Sequence, residues 1–369
     1  MSGIDAASWD AFGESVARYV DTKYDFDTYR RFRATPEGFG RAAWGDHADL
    51  GWLGLAVPEE AGGLGGGAQA MAVLMEGVGR GLLLEPFLAS LVLGAGLVAA
   101  VADAVQAAVI LPGIVSGETI LAFAHDEGAQ RSGFAHHQCR AIPTPTGFRL
   151  RGGKSLVLHG DVATALIVSA RIEGDAALSL FLLDAKAPGL VIERHRLIDG
   201  RGFARIHLND APAERLGAGP AEPAIRTVVE RAVAAVCAEG VGAMARLNAM
   251  TLDYVKTREQ FGQKIAGFQA IQHRLVDMAV AEREARSIAA AAACALDARH
   301  TRAGLVVSAA KIRVNRAARF IGENAVQLHG AIGMTEELPV GHFFKRLLVI
   351  VSLFGDDDAH LDRPGPGPA

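Results

Sequence analysis

Cysteine is scarce in this 369-residue chain. The three present, Cys139, Cys237 and Cys294, lie far apart and are odd in number. That argues against a disulfide framework and suits a reducing compartment. Metal-ligand spacing is missing too. The 12 histidines are scattered, His136-His137 is the only adjacent pair, and there is no H-E-x-x-H or C-x-x-C. No basic run occurs and the formal net charge is -4, which argues against nucleic acid as the main partner. The foremost membrane suspect, Phe87 to Ala102, is charge-free but falls short of the ~20 apolar residues of a span. Pro86 precedes it and Asp103 ends it, so a buried helix is expected and no membrane span. The opening MSGIDAASWD lacks the basic and apolar regions of a signal peptide. A cytoplasmic location is expected. The glycine-rich loop after Val57 (Pro58-Glu-Glu-Ala-Gly-Gly-Leu-Gly) lacks the Lys-Ser/Thr of a phosphate cradle and reads as a connector between helices.

Hydrophobic residues make up 50% of the chain, enough for two or three packed units. Residues 1–115 read as a helical domain. Met71, Leu74, Met75 and Val78 fall on one face of a helix that Glu85-Pro86 breaks. Between 116 and 215 the pattern switches to short β-type runs: Ile120-Ala124, Phe148-Arg151, Leu156-His159, Ala165-Ser169, Leu178-Leu183 and Ile206-Leu208. Gly, Pro and Asp punctuate them, as in a small barrel or sandwich. Residues 216–362 return to helix and read as a bundle. The tail 363–369, RPGPGPA, is expected to be disordered.

The stretch from Tyr254 to Met278 leaves one helix, turns at Gly262 and Gly267, and resumes as another whose Ile271, Leu275 and Met278 form an apolar stripe. It holds Arg258, Phe261, Gln269 and Gln272. A guanidinium binds phosphate, an aromatic face packs an adenine, and amides hold ribose hydroxyls. An ordinary helical hairpin with a surface Arg and a core Phe is the plainer reading.

The motif order decides between them. Arg258-x-x-Phe261-Gly-x-x-Ile, Phe268-Gln-x-x-Gln272, then Gln327-Leu-His-Gly330-x-x-Gly333 and Pro339 resemble the acyl-CoA dehydrogenase family over nearly the whole chain. The resemblance implies an α+β multidomain fold with an N-terminal helical domain, a central small β-barrel or sandwich and a C-terminal four-helix bundle. It implies FAD as cofactor, an acyl-CoA substrate oxidised to the 2-enoyl-CoA, and an electron-transferring flavoprotein as acceptor. Arg258, Phe261, Gln269, Gln327 and Gly330 are then the residues that hold the ADP part of a flavin seated mainly in a neighbouring subunit.

Three segments depart from the family pattern. The flavin loop reads Phe123-Ala-His-Asp-Glu127-Gly-Ala-Gln-Arg131, keeping Glu127 but not the family's Pro or Gly-Ser-Asp. The strand that faces the flavin ring reads Lys154-Ser-Leu156-Val-Leu158-His159-Gly160, so Leu156 and Leu158 replace a Trp and a Thr, leaving only the backbone amide of Leu158 to bond the ring. The usual base position falls at Phe354, and the alternative one near Ala249 or Met250. Asp356 is the nearest substitute base. A solvated turn that caps a helix is the plainer reading of Asp356 to Asp358; Asp253 and Glu239 are the nearest carboxylates upstream.

Intact ADP-holding segments beside degraded ring and base segments fit a hetero-oligomer, in which this chain completes the adenine end of another subunit's site. Three other readings stay open. The chain is a homo-oligomer of the smaller members that resemble pimeloyl-CoA and sterol side-chain dehydrogenases, with Asp356 as base. It is a non-catalytic partner that stabilises or regulates another dehydrogenase. Or it is a relative of flavin monooxygenases or nitroalkane oxidases. Val241, Gly242, Met244 and Leu247 either line an acyl pocket or pack helices, and packing is the plainer reading.

Overall fold

The computed structural model describes residues 6–128 and 137–363. The chain begins with helices α1 (Ala6–Lys23), α2 (Phe26–Arg33), α3 (Arg41–Asp49) and α4 (Ala68–Gly81). The apolar run Phe87–Ala95 follows as a π-helical segment and continues into α5 (Gly96–Val101) and α6 (Ala104–Val115). All nine residues of Phe87–Ala95 are buried, so this run is core. Among the described residues no helix is long and apolar enough to cross a membrane. Asp103 and Gln106 form a capping box at the start of α6, satisfying two of the amides left open at a helix start.

Seven strands follow: β1 (Leu121–Ala124), β2 (Arg140–Thr144), β3 (Gly147–Leu158), β4 (Ala165–Ile172), β5 (Leu178–Asp184), β6 (Leu190–Arg196) and β7 (Gly202–Leu216). β4 pairs with β2, β2 with β3, β3 with β7, β7 with β5, and β5 returns to β4. The sheet thus closes on itself as the expected small barrel, with β1 and β6 added at its sides. A separate apolar core of Leu150, Leu166, Val168, Phe181 and Ile206 fills it. The runs at Phe148 and Leu156 are one strand, β3, whose pairing with β7 shifts register after Leu150 and again after Lys154. Such bulges hide a strand's period-two pattern. β2 and β6 escape sequence reading because both are short of buried apolar residues.

The last unit comprises α7 (Glu222–Thr257), the tiny hairpin β8 (Glu259–Gln260) and β9 (Gln263–Lys264), then α8 (Gln269–Asp297), α9 (Ala303–His329), α10 (Pro339–Ser352) and α11 (Asp357–Leu361). α7, α8, α9 and α10 pack as a bundle whose core is continuous with that of the N-terminal helices. Helices α4 and α7 cross through paired glycines. A Cβ on Gly79 would meet the Glu239 carbonyl oxygen, and one on Gly242 that of Glu76. This crossing sets the depth of Glu239. Of the tail, Arg363 is described, with Nη1 3.8 Å from Glu230; residues 364–369 lie outside the described residues, as do the opening residues 1–5.

Candidate active site and nucleotide arm

The residues singled out in the sequence fall into two places. The first is the junction of the helical units with the barrel. There Glu85, Leu158, His159, Arg201, Glu239 and Arg346 surround a cavity of about 20 Å³. That is room for roughly one water molecule. A buried ionic network occupies the rest. Arg346 forks onto Glu239, Nε to Oε1 at 2.8 Å and Nη2 to Oε2 at 2.7 Å, while its Nη1 reaches Asp199 at 2.9 Å. Arg201 gives Nη1 to Glu239 at 2.8 Å and Nη2 to the Leu83 carbonyl at 2.6 Å. Burial alone would raise the Glu239 carboxyl, but the guanidiniums of Arg201 and Arg346 outweigh it and hold the group at about 2. A carboxylate so paired is a poor proton acceptor at neutral pH.

Glu85 is the opposite case. Burial pushes its carboxyl up to about 7, against hydrogen bonds from the Gly40 N–H and the Tyr24 hydroxyl. His159, lowered to about 4 by burial, donates Nε2–H to the Leu84 carbonyl at 3.1 Å. A carbonyl can only accept, so the bond fixes the tautomer.

Asp356 lies elsewhere. Its carboxylate caps α11, accepting from Ala359 N–H at 3.0 Å, and it does not line the cavity. The cavity's carboxylates are Glu85, which the sequence gave no reason to single out, and Glu239. Leu158 does line the cavity, with its apolar side chain. Glu127 accepts from Lys154 Nζ at 2.7 Å and from the amides of Gln138 and Cys139, all within its own domain. Residues 129–131 of that loop, and His136, lie outside the described residues. Val241, Met244 and Leu247 are buried helix packing and none lines the cavity. Among the described residues no group of three His, Cys, Asp or Glu is placed to hold a metal.

The second place is one end of the bundle. Arg258 ends α7, and the Phe261-Gly262 turn has both residues at positive φ, 54° and 77°. Two such residues in a row make the tight hairpin that joins β8 to β9. The Phe261 ring is 91% exposed. Gln269 opens α8, Gln327 lies in the last turn of α9, and Gly330, at φ 67°, ends that helix. All five side-chain positions face solvent. Tyr254 ties the two segments together: its ring stacks on His329 at 4.3 Å and its hydroxyl donates to the His329 carbonyl at 3.3 Å. Phe261 is therefore no core residue. A large aromatic held out on a strained turn, beside a guanidinium with no ion pair among the described residues, is arranged to meet something beyond this chain.

Six non-glycine residues among those described have positive φ: His159 lines the cavity and Phe261 tips the arm, while Leu82, Asp210, Arg299 and Phe354 lie outside both. Strain of this kind persists only where the surroundings impose it.

The chain is similar to known proteins over most of its length. Residues 8–118 match the family description "Acyl-CoA dehydrogenase, N-terminal domain" and residues 223–363 match "Acyl-CoA dehydrogenase, C-terminal domain". The acyl-CoA dehydrogenase FadE27 of Mycobacterium tuberculosis is 29% identical over 342 residues, covering 90% of this chain and 89% of that one. Among solved structures, a variant of the Tcur3481-Tcur3483 steroid ACAD is 30% identical with a TM-score of 0.86, covering 96% of each chain. The ChsE4-ChsE5 complex from Mycobacterium tuberculosis is 26% identical with a TM-score of 0.87, covering 98% of this chain and 97% of that one.

Proposed function

The chain belongs to the acyl-CoA dehydrogenase family, and on that premise we propose that it is the complementing subunit of a hetero-oligomeric, FAD-dependent enzyme that introduces a double bond into an acyl-CoA thioester. In this reading the chain lends Arg258, Phe261, Gln269, Gln327 and Gly330 to the ADP part of a flavin whose ring sits in a second subunit. FAD, when bound there, supplies the hydride acceptor, which no ordinary side chain can be.

The observation that carries the reading is the small size of the cavity. Ligand pockets run from about 300 Å³ upward, whereas this one holds about 20 Å³. The residues at the chain's own ring position therefore do not fit a flavin ring or a substrate beside it. The exposed arm, by contrast, offers a guanidinium, an aromatic face and amides together, which fits the nucleotide end. Relatives solved as two-protein assemblies support a second subunit, and a steroid-type or fatty acyl group is the substrate class that goes with them. An electron-transferring flavoprotein is the proposed acceptor.

The small cavity also supports a second reading, a non-catalytic partner that only stabilises another dehydrogenase. Co-purification with a flavin-bearing family subunit separates the two. In the first reading Arg258→Ala leaves the complex assembled but strips its flavin and its turnover. If the Arg258→Ala complex keeps its full flavin content, the arm is not part of the site and the second reading stands.

A further inference from the structure

A second, open cleft of about 410 Å³ lies outside the site described above. Its walls carry Arg30 and Arg33 from α2, Arg196 from the end of β6, and Glu336 and His342 from the approach to and first turn of α10. The chain as a whole is acidic, at -4, yet this cleft presents three guanidiniums against one carboxylate.

The arginines are built into place. A Cβ on Gly200 would fall 2.4 Å from Arg33 Nε, and one on Gly38 would fall 2.8 Å from the Arg196 guanidinium carbon. Both glycines have positive φ, 92° and 75°, so the backbone bends to make room for the guanidiniums. Arg196 is anchored by Asp161 at 2.6 Å and the Pro36 carbonyl at 2.7 Å. Arg33 gives Nη1 to Glu336 at 2.9 Å. Glu336 is also shared with Lys345 Nζ at 2.5 Å and lies 3.3 Å from His342 Nε2. His342 is itself held by the Tyr29 hydroxyl at 3.3 Å. Among the described residues Arg30 has only Asp27, 3.8 Å away and mostly exposed. Each guanidinium has five N–H donors, so Arg30 and Arg33 keep donors unspent among the described residues. Like charges three apart on one helix repel, and an anion between them relieves that repulsion.

We propose that this cleft binds a phosphate ester or diphosphate, with Arg30 and Arg33 as the forked donors and Arg196 as the fixed back wall. Guanidinium forks match phosphate oxygens, and the cleft exceeds what a lone phosphate fills. Leu197 lines both this cleft and the small cavity, so the Leu197–Gly202 loop is the wall between them. The proposal does not depend on the nucleotide arm, whose residues lie on other elements.

The test is calorimetric titration of the full chain with inorganic pyrophosphate and, in a separate arm, with coenzyme A. Saturable binding is expected, about tenfold weaker in Arg30→Ala and weaker again in Arg30→Ala/Arg33→Gln. It should be unchanged in Arg258→Ala. Tighter binding of coenzyme A than of pyrophosphate would assign the site to the thioester's own phosphates; the reverse would assign it to a separate phosphorylated ligand. No saturable binding of either probe, or binding lost in Arg258→Ala and kept in the Arg30 variant, overturns the proposal. Arg30 is half exposed and carries no close side-chain bond among the described residues, so its variant is expected to fold.

Discussion

Replacing Glu85 by glutamine should make the protein more stable at pH 8 and leave it almost unchanged at pH 5. Glu85 is fully buried at the junction of all three units, and burial lifts its carboxyl from an ordinary 4.5 to about 7. The charge of Arg201 lowers it in part, but that guanidinium directs hydrogen bonds at Glu239 and the Leu83 carbonyl, and burial outweighs it. The sign follows from proton counting. Between 4.5 and 7 the unfolded chain has lost this proton while the folded chain keeps it, so stability falls as pH rises through that window. A rise from 4.5 to about 7 corresponds to about 3 kcal/mol lost by pH 8. Glutamine keeps an acceptor oxygen for the Gly40 amide and the Tyr24 hydroxyl, and its amide nitrogen faces a cavity with room for a water. For a chain this long, about 3 kcal/mol is about 4 °C in melting temperature. Thermal melts of wild type and Glu85→Gln at pH 5, 6, 7 and 8 should therefore diverge by a few degrees toward alkaline pH. Parallel curves, or a variant less stable at pH 8, would refute the reasoning.

Three further outcomes are expected. His47 stacks on Trp52 at 4.6 Å with neither ring nitrogen hydrogen-bonded among the described residues, and burial lowers it from 6.5 to about 3. Its neutral form stabilises the fold above pH 6.5, and that contribution is lost as pH falls, so the melting temperature of His47→Phe should drop less than that of wild type between pH 7 and 5. Asp356→Ala should cost about 1 kcal/mol as a lost helix cap, whereas Asp356→Asn should retain both stability and the turnover of the assembled enzyme. Turnover abolished in Asp356→Asn with the melt unchanged would assign Asp356 the role of base. Phe261→Ala should leave the melting temperature of the lone chain unchanged, because its ring contributes little to the core, yet release flavin from the assembled enzyme; a destabilised lone chain would show that the ring packs at home.

The helices, the barrel and the exposed arm were legible for different reasons. The turn at Gly262 was legible because turn chemistry is local, but the arm as a nucleotide-holding unit came from the family resemblance, since the residue pattern alone read Phe261 as core. The Phe87–Ala95 part of the apolar run was legible as core because the whole run falls short of a membrane span, although Ala99 and Ala100 at its end are exposed. Strand β6 was not, because only alternate residues touch the barrel and its outer face is charged. Nor was the small cavity. Leu158 and Phe354 depart from the family pattern, but the sequence did not say which side chains would surround Leu158. Asp199 and Arg201, Glu239, and Arg346 come from three separate stretches of the sequence, and each alone reads as a surface charge. Only the tight α4–α7 crossing through Gly79 and Gly242 brings Glu239 to the depth at which two arginines must neutralise it. Glu85 was hidden in the same way, beside a proline that read only as a helix break.

The central claim is that the chain's own ring site is too small for a flavin ring while its nucleotide arm serves another subunit. The most direct measurement is the visible absorption spectrum of the chain purified alone, before and after adding an acyl-CoA. The account predicts a colourless protein with no stoichiometric flavin and no bleaching on addition of substrate. A yellow protein with one flavin per chain that bleaches when the thioester is added would contradict it.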